Sequence, residues 1–283
     1  MKNKNLSVAN FFWGGELTYY EISNFLSFKD KNFTVKVWSY DNLELPDGII
    51  LKNANEIIPQ EFLNKFTQNF QKSNMSSFSN LFRYKLLHKE SGWWFDSDCI
   101  CLKDVSHFEN LAKNKKFVLA LENPKLVGSS AMYINDESIL ESLLDETEKR
   151  IKRNNFNFYW GEIGPYLITD VFVNLKIFES VLDSYYFFKI KPEEFNILFN
   201  SKQRDYVISE LKDSFICHTW NEMFRKFGIE KNKLPPKYSY LSTHIENYMP
   251  GQKVLHYGKY FQLRFNFLFK YIYKIISRIK TFI

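Results

Sequence analysis

Apolar and polar positions along this chain follow two rhythms. Short runs rich in β-branched and aromatic residues occur at Val8 to Gly15, closing in a Gly-Gly turn, at Thr34 to Ser39 (TVKVWS), at Trp93 to Leu102, at Lys116 to Leu121 (KFVLAL) and around Ala131 to Ile134. Their composition and their glycine or polar boundaries predict strands. Between them, helical spacing predicts helices over Tyr19 to Phe28, Pro59 to Phe66 and Phe78 to Lys89. A further helix is expected from about Ser138 to Lys152. There Ser138 and Glu141 are spaced as a capping box, and Ile139, Leu140, Leu143, Leu144 and Ile151 form an apolar stripe. Strands alternating with helices predict an α/β domain with a largely parallel sheet. Sheets of that kind bind ligands beyond the carboxyl ends of their strands.

One strand ends in chemistry. In SGWWFDSDCICL, residues 91 to 102, an aromatic run stops at Asp96 and Asp98. In extended chain both carboxylates share one face, with Ser97 and Cys99 on the other. Two like charges side by side are unfavourable unless a cation or solvent relieves them. The plain reading is a strand that has reached water. Just before it, Asn80 and Arg83 lie three apart on the predicted helix and share a face, while Leu81, Leu86 and Leu87 serve the core. If that face borders the carboxylates, a metal and a phosphorylated ligand can be held between them. Otherwise it is a solvated helix face.

Composition narrows the class. A chain of 283 residues that is 45% hydrophobic and 18% aromatic can bury a large core as one domain, with or without an appendage. The N-terminal apolar stretch is too short for a signal peptide, and no run of about 20 uncharged apolar residues could span a bilayer, so a cytoplasmic location is expected. Cys99, Cys101 and Cys217 offer no disulfide framework. With His218 they make a nominal zinc set, but C-x-C within a strand is poor spacing for that metal.

The net charge of +6 resides in the tail. From residue 247 onward there are seven basic residues and no acid, which leaves the body with 31 basic against 32 acidic side chains. That balance argues against nucleic acid and for a local anionic partner of the C-terminus. The expected organisation is therefore a body over 1–246 and a basic tail over 247–283. On a helix, Lys270, Lys274 and Arg278 form one stripe opposite Phe265, Leu268, Phe269, Ile272, Ile275, Ile276 and Ile279. This is the pattern of an interfacial helix on an anionic membrane, or of a helix folded back over the body.

The segments SNLFR (79 to 83) and GWWFDSD (92 to 98), together with FFWGG (11 to 15), WGEIGPYLIT (160 to 169) and CHTWN (217 to 221), fall in a familiar order. The ordered set resembles glycosyltransferase family 32 and the related toxin glucosyltransferases. The resemblance implies a GT-A fold, a nucleotide-sugar donor, with a UDP sugar expected, and Mn²⁺ or Mg²⁺. It implies that Asp98 ligates the cation, that Asp96 contacts the ribose or the cation, and that Arg83 holds the donor sugar or its diphosphate. Trp13 would offer an aromatic face to the base, and Gly164 and Pro165 a tight turn for close backbone approach to the donor. Asn80 stands where the family usually has Asp, and Trp93 where it has a second Gly.

For the third metal ligand His218 is favoured over His256, whose VLHYGK segment resembles a terminal motif of another retaining family. Family 32 enzymes retain anomeric configuration, and Glu162 and Asp170 are the nearby acids available to assist. The expected function is transfer of a hexose or N-acetylhexosamine to a bacterial surface glycan such as lipooligosaccharide or capsule, at the inner face of the cytoplasmic membrane. The acceptor would then be a glycan or glycolipid. A haloacid-dehalogenase-type phosphatase and a catalytically inactive sugar-nucleotide-binding or membrane scaffold protein are the alternatives.

Overall fold

In a computed structural model, which describes residues 6–67, 75–252 and 256–257, the chain begins with β1 (Val8–Phe12), α1 (Tyr19–Asp30), β2 (Thr34–Ser39) and β3 (Ile49–Asn53). It continues through α2 (Gln60–Thr67), α3 (Met75–Lys89), β4 (Trp93–Phe95), β5 (Cys99–Cys101), α4 (Val105–Ala112) and β6 (Phe117–Val118). Then come β7 (Leu121–Asn123), β8 (Leu126–Val127), β9 (Ala131–Ile134), α5 (Glu137–Asn154) and α6 (Pro165–Asn174). Short 3₁₀ turns lead to α7 (Arg204–Glu210), β10 (Ile216–His218), α8 (Asn221–Lys226) and α9 (Tyr240–Tyr248).

The principal sheet has the order β3-β2-β1-β4-β9-β6. Its first four strands are parallel, and β9 runs antiparallel to both of its neighbours. This is the mostly parallel α/β architecture expected of a GT-A-like enzyme. Successive side chains on a strand face opposite ways, and here both faces are apolar because both are covered. Trp93 and Phe95 enter one core with Phe11, Phe25 and Phe28, while Trp94 enters the other with Phe12, Phe82, Met132 and Leu140. Phe95 has no exposed surface, and its ring centroid lies 4.4 Å from that of Phe28 and 5.8 Å from that of Phe108. Truncating such a side chain costs about 3–5 kcal/mol, so the strand that carries the carboxylates is firmly seated.

Several expectations needed correction. The aromatic run is two strands: β4 stays in the principal sheet, and β5 pairs antiparallel with β10 in a separate ribbon. KFVLAL likewise divides between β6 and β7. The residue that caps α5 is Asp136, whose carboxylate accepts from the Ile139 amide and from the Ser138 hydroxyl, so the capping box built on Ser138 does not form. Asp is as good an N-cap as Ser, and the helix then also takes in Glu137 and Ser138. A capping box does occur at α1, where Thr18 and Glu21 exchange hydrogen bonds. The expected boundary after residue 246 falls inside α9, and the amphipathic stretch 260–283 lies outside the described residues. Among the described residues no helix is long and apolar enough to cross a membrane.

Candidate functional site

The two carboxylates are brought together by a turn, not by strand alternation. Asp96 donates its amide to the Ser130 carbonyl at 2.7 Å, which holds the end of β4 against β9. The Cys99 amide then returns to the Asp96 carbonyl at 3.0 Å and closes a tight turn over Ser97 and Asp98. Both side chains reach one cleft at the carboxyl end of β4.

Each carboxylate has its own partners. Asp96 Oδ1 accepts from Arg83 Nη2 at 2.9 Å and from Trp94 Nε1 at 2.8 Å. Arg83, on α3, also donates to the Ser129 carbonyl and lies over the Trp94 ring, 5.0 Å from its centroid. Asp98 is enclosed by the CHTWN segment, because the register of β5 against β10 sets His218 opposite Cys99. His218 Nε2 lies 3.1 Å from Asp98 Oδ1, and the Asn221 amide donates to Oδ2 at 2.8 Å. The Thr219 amide and hydroxyl both donate to the Asp98 carbonyl. Trp220, held at φ 62° with its indole donating to the Ile190 carbonyl, packs its ring 4.1 Å from the imidazole.

These surroundings push the two carboxyls apart. Burial alone would raise Asp98, but the charge and hydrogen bond of His218, with the Asn221 amide, hold it down at about 2. Asp96 is raised: burial and the neighbouring Asp98 charge outweigh the guanidinium of Arg83. For His218 burial opposes the imidazolium, yet the Asp98 charge and hydrogen bond win and lift it above its ordinary value.

The cleft is lined by Asn80, Arg83, Asp96, Asp98, Pro165 and His218, all singled out in the sequence, and by Glu122, Ser129, Ser130, Trp160, Phe188, Trp220 and Glu222. Gly164 stands directly behind it: a Cβ there would come 2.6 Å from the Asn80 amide nitrogen. Three buried polar atoms of lining residues, Arg83 Nε, Ser130 Oγ and His218 Nδ1, have no hydrogen-bond partner among the described residues. Unpaired buried polar atoms cost about 1–3 kcal/mol each, and these three belong to residues that line one cleft.

Two expected acids are not brought into the cleft. Glu162 is buried and tied to the Tyr159 amide, Asn154 and Arg153, while Asp170 receives Arg150 Nη2 at 2.6 Å. Both belong to the packing of α5 against α6. Trp13 is not among the residues lining the cleft: its indole donates to the Glu16 carbonyl, and Lys231 Nζ lies 5.3 Å from its ring centroid. Lys231 pairs with buried Glu21, and its charge also helps hold Asp98 down. His256 sits elsewhere, hydrogen-bonded to the Pro235 carbonyl and bridged to Leu234. Of the residues that sequence reading missed, Trp220 lay within a quoted motif, whereas Glu122 and Lys231 carry no local signal.

The donor set suits a hard divalent cation. An Asp98 carboxylate oxygen, a His218 ring nitrogen and Cys99 Sγ lie within 4.8 Å of one another. The Cys99 thiol donates to the Ser130 carbonyl, and burial with two adjacent carboxylates pushes it well above the usual thiol range, so it stays protonated and offers no thiolate. What remains is oxygen and imidazole, which fits Mn²⁺ or Mg²⁺ better than a zinc-thiolate centre.

Residues 136–242, which hold α5, the Gly164-Pro165 turn and the His218 segment, match the model of a family described as the alpha 1,4-glycosyltransferase conserved region. The chain is a glycosyltransferase, of a kind resembling family 32. Among solved structures it is similar to galactosyltransferase LgtC in complex with donor and acceptor sugar analogues, at 10% identity and a TM-score of 0.49 over 90% of this chain and 99% of that one. It is also similar to PaToxG glycosyltransferase, at 10% identity and a TM-score of 0.44 over 87% and 86% of the two chains. A third is glycosyltransferase GlyE of Streptococcus pneumoniae TIGR4, at 15% identity and a TM-score of 0.41 over 88% and 61%. No curated protein matches the sequence.

Proposed function

We propose that this glycosyltransferase is a metal-dependent, retaining enzyme that moves a hexose or N-acetylhexosamine from a UDP sugar onto a bacterial surface glycan. The observation that carries this reading is the meeting of Asp96, Asp98, Arg83 and His218 in one cleft, joined by the Arg83–Asp96 and His218–Asp98 contacts. Asp98 and His218 would hold Mn²⁺ or Mg²⁺, with Asp96 close by. Such a cation, when bound, neutralises charge on a departing diphosphate.

The chain's own groups do the rest. Arg83 is fixed by Ser129 and Asp96, so its guanidinium charge is held beside the carboxylates, where it suits a donor phosphate. Lys231, over the Trp13 ring, adds positive charge to the field felt by Asp98. Gly164 and Pro165 bring backbone close to the sugar. Glu162 and Asp170 lie outside the cleft, and among its lining carboxylates we place Glu122 beside the reacting carbon, where negative charge stabilises a developing oxocarbenium ion. A phosphatase would need Asp96 as an unencumbered nucleophile, and its Oδ1 already accepts two hydrogen bonds. The anionic membrane surface remains our proposed partner for the tail, on its sequence pattern alone. Flotation of the full-length protein with anionic and neutral liposomes tests that part: equal recovery with both removes it.

The test of function is a panel of nucleotide sugars assayed for sugar release with Mn²⁺, with EDTA, and with Asp98→Asn. Turnover is expected for one donor, lost with EDTA, restored by Mn²⁺ and reduced at least a hundredfold, by order of magnitude, in Asp98→Asn. A fully active Asp98→Asn enzyme ends the metal assignment. Phosphomonoester hydrolysis in place of sugar release would establish the phosphatase instead.

A further inference from the structure

Tyr159, Trp160 and Tyr166 retain 60%, 51% and 41% of their surface exposed. They form one cluster. Tyr166 lies edge-on to Trp160, with ring planes at 90° and centroids 6.2 Å apart, and 5.8 Å from Tyr159. Contiguous exposed aromatic surface on a well-packed domain marks a binding face. Trp160 and Gly161 belong at once to this cluster and to the lining of the cleft that holds Asp98 and His218.

The cluster is held rigid from beneath. Gly161 adopts φ +77°, and a Cβ on it would come 3.0 Å from the Tyr166 ring, so the turn admits glycine and sets that ring against its neighbours. The Gly161 carbonyl accepts from the amides of Gly164 and Tyr166, and the buried Glu162 carboxylate accepts from the Tyr159 amide. Glu162 therefore serves as a fastening for these rings. A fixed aromatic face with an electron-rich centre is what the polarised C–H face of a pyranose ring packs against, while its hydroxyls turn toward polar groups. Glu122 and Glu222 line the same cleft, the Glu222 carboxylate held by Arg225, so the rings border a polar wall.

We propose that Trp160 and Tyr166, flanked by Tyr159, form the platform on which the apolar face of the acceptor sugar stacks. This rests on the glycosyltransferase reading, and it names the class of the second substrate: a sugar that presents three or more contiguous C–H groups on one face. Full-length wild-type protein is titrated with methyl β-D-galactoside, methyl β-D-glucoside and lactose, followed by saturation-transfer NMR. The same is done for Trp160→Ala, Trp160→Phe and Tyr159→Ala, whose fold is checked by thermal melting. At least one saccharide is expected to bind the wild type with a millimolar Kd. Trp160→Ala should weaken it about fivefold or more, Tyr159→Ala about twofold, and Trp160→Phe should stay within about twofold, as stacking worth about 1 kcal/mol requires. Binding unchanged in Trp160→Ala, or no binding of any probe to the wild type, overturns the platform. Nucleotide-sugar turnover is measured separately. If it is absent from the wild type the enzyme reading fails, while the titration still decides the platform.

Discussion

Asn24 donates its side-chain amide to the Ser97 carbonyl at 2.9 Å, reaching from α1 to the middle of the turn between Asp96 and Asp98. On its other side Asn24 Oδ1 faces His244 Nε2 of α9 at 3.2 Å, and both side chains are buried. The carboxylate turn is thus fastened through a two-residue polar chain to helices that contribute no residue to the cleft lining. Asn24→Asp keeps the volume but removes the donor. It is expected to raise the Mn²⁺ concentration for half-maximal turnover about tenfold or more and to lower stability by about 1–3 kcal/mol. A variant that loses stability while its Mn²⁺ dependence stays that of the wild type would make Asn24 a packing residue only.

His244 makes stability depend on pH. Burial lowers its pKa to about 3, against about 6.5 in the unfolded chain. Between those values the unfolded state binds a proton that the native state does not, so stability is complete above pH 6.5 and is lost as pH falls below it. At pH 5 the loss is about 2 kcal/mol. Replacing His244 with Gln, which can still donate to Asn24, should shrink the drop in melting temperature between pH 7.5 and pH 5. An unchanged drop would assign the acid sensitivity to other groups.

His218 and His256 separate cleanly in space. The first touches Asp98, and the second is bound to the Pro235 carbonyl in another cavity. His218→Ala should therefore depress Mn²⁺-supported turnover by about two orders of magnitude, and His256→Ala by less than threefold as a roughly local change. Equal losses measured at saturating Mn²⁺ would return His256 to the site.

What was legible in the sequence, and what was not, follows from the range of the interactions. Helices and strands with strong periodicity lay within a few residues of their expected bounds: TVKVWS is β2 residue for residue, and the S-N-x-x-R segment lies on α3. The cleft residues of GWWFDSD and CHTWN were legible because each motif is short and self-contained. The split of β4 from β5 was not, because it is enforced by β10, more than a hundred residues later, pairing with Cys99, Ile100 and Cys101. Glu162 and Asp170 were misplaced for the same reason. Nothing local reveals that Arg150 and Arg153, on the preceding helix, turn back to engage them. Asn24 and Lys231 reach the site only through tertiary contacts and leave no pattern of their own.

Gly164 has space for a hydrogen and nothing larger, because the Asn80 carboxamide fills the place where its side chain would be. Asn and Asp occupy almost the same volume, so position 80 can exchange amide for carboxylate without disturbing the turn behind it, whereas any growth at position 164 must push the Asn80 side chain aside. Drift in a lineage is therefore channelled. The charge that greets a donor can change in one nucleotide step, while the backbone that receives it stays where it is.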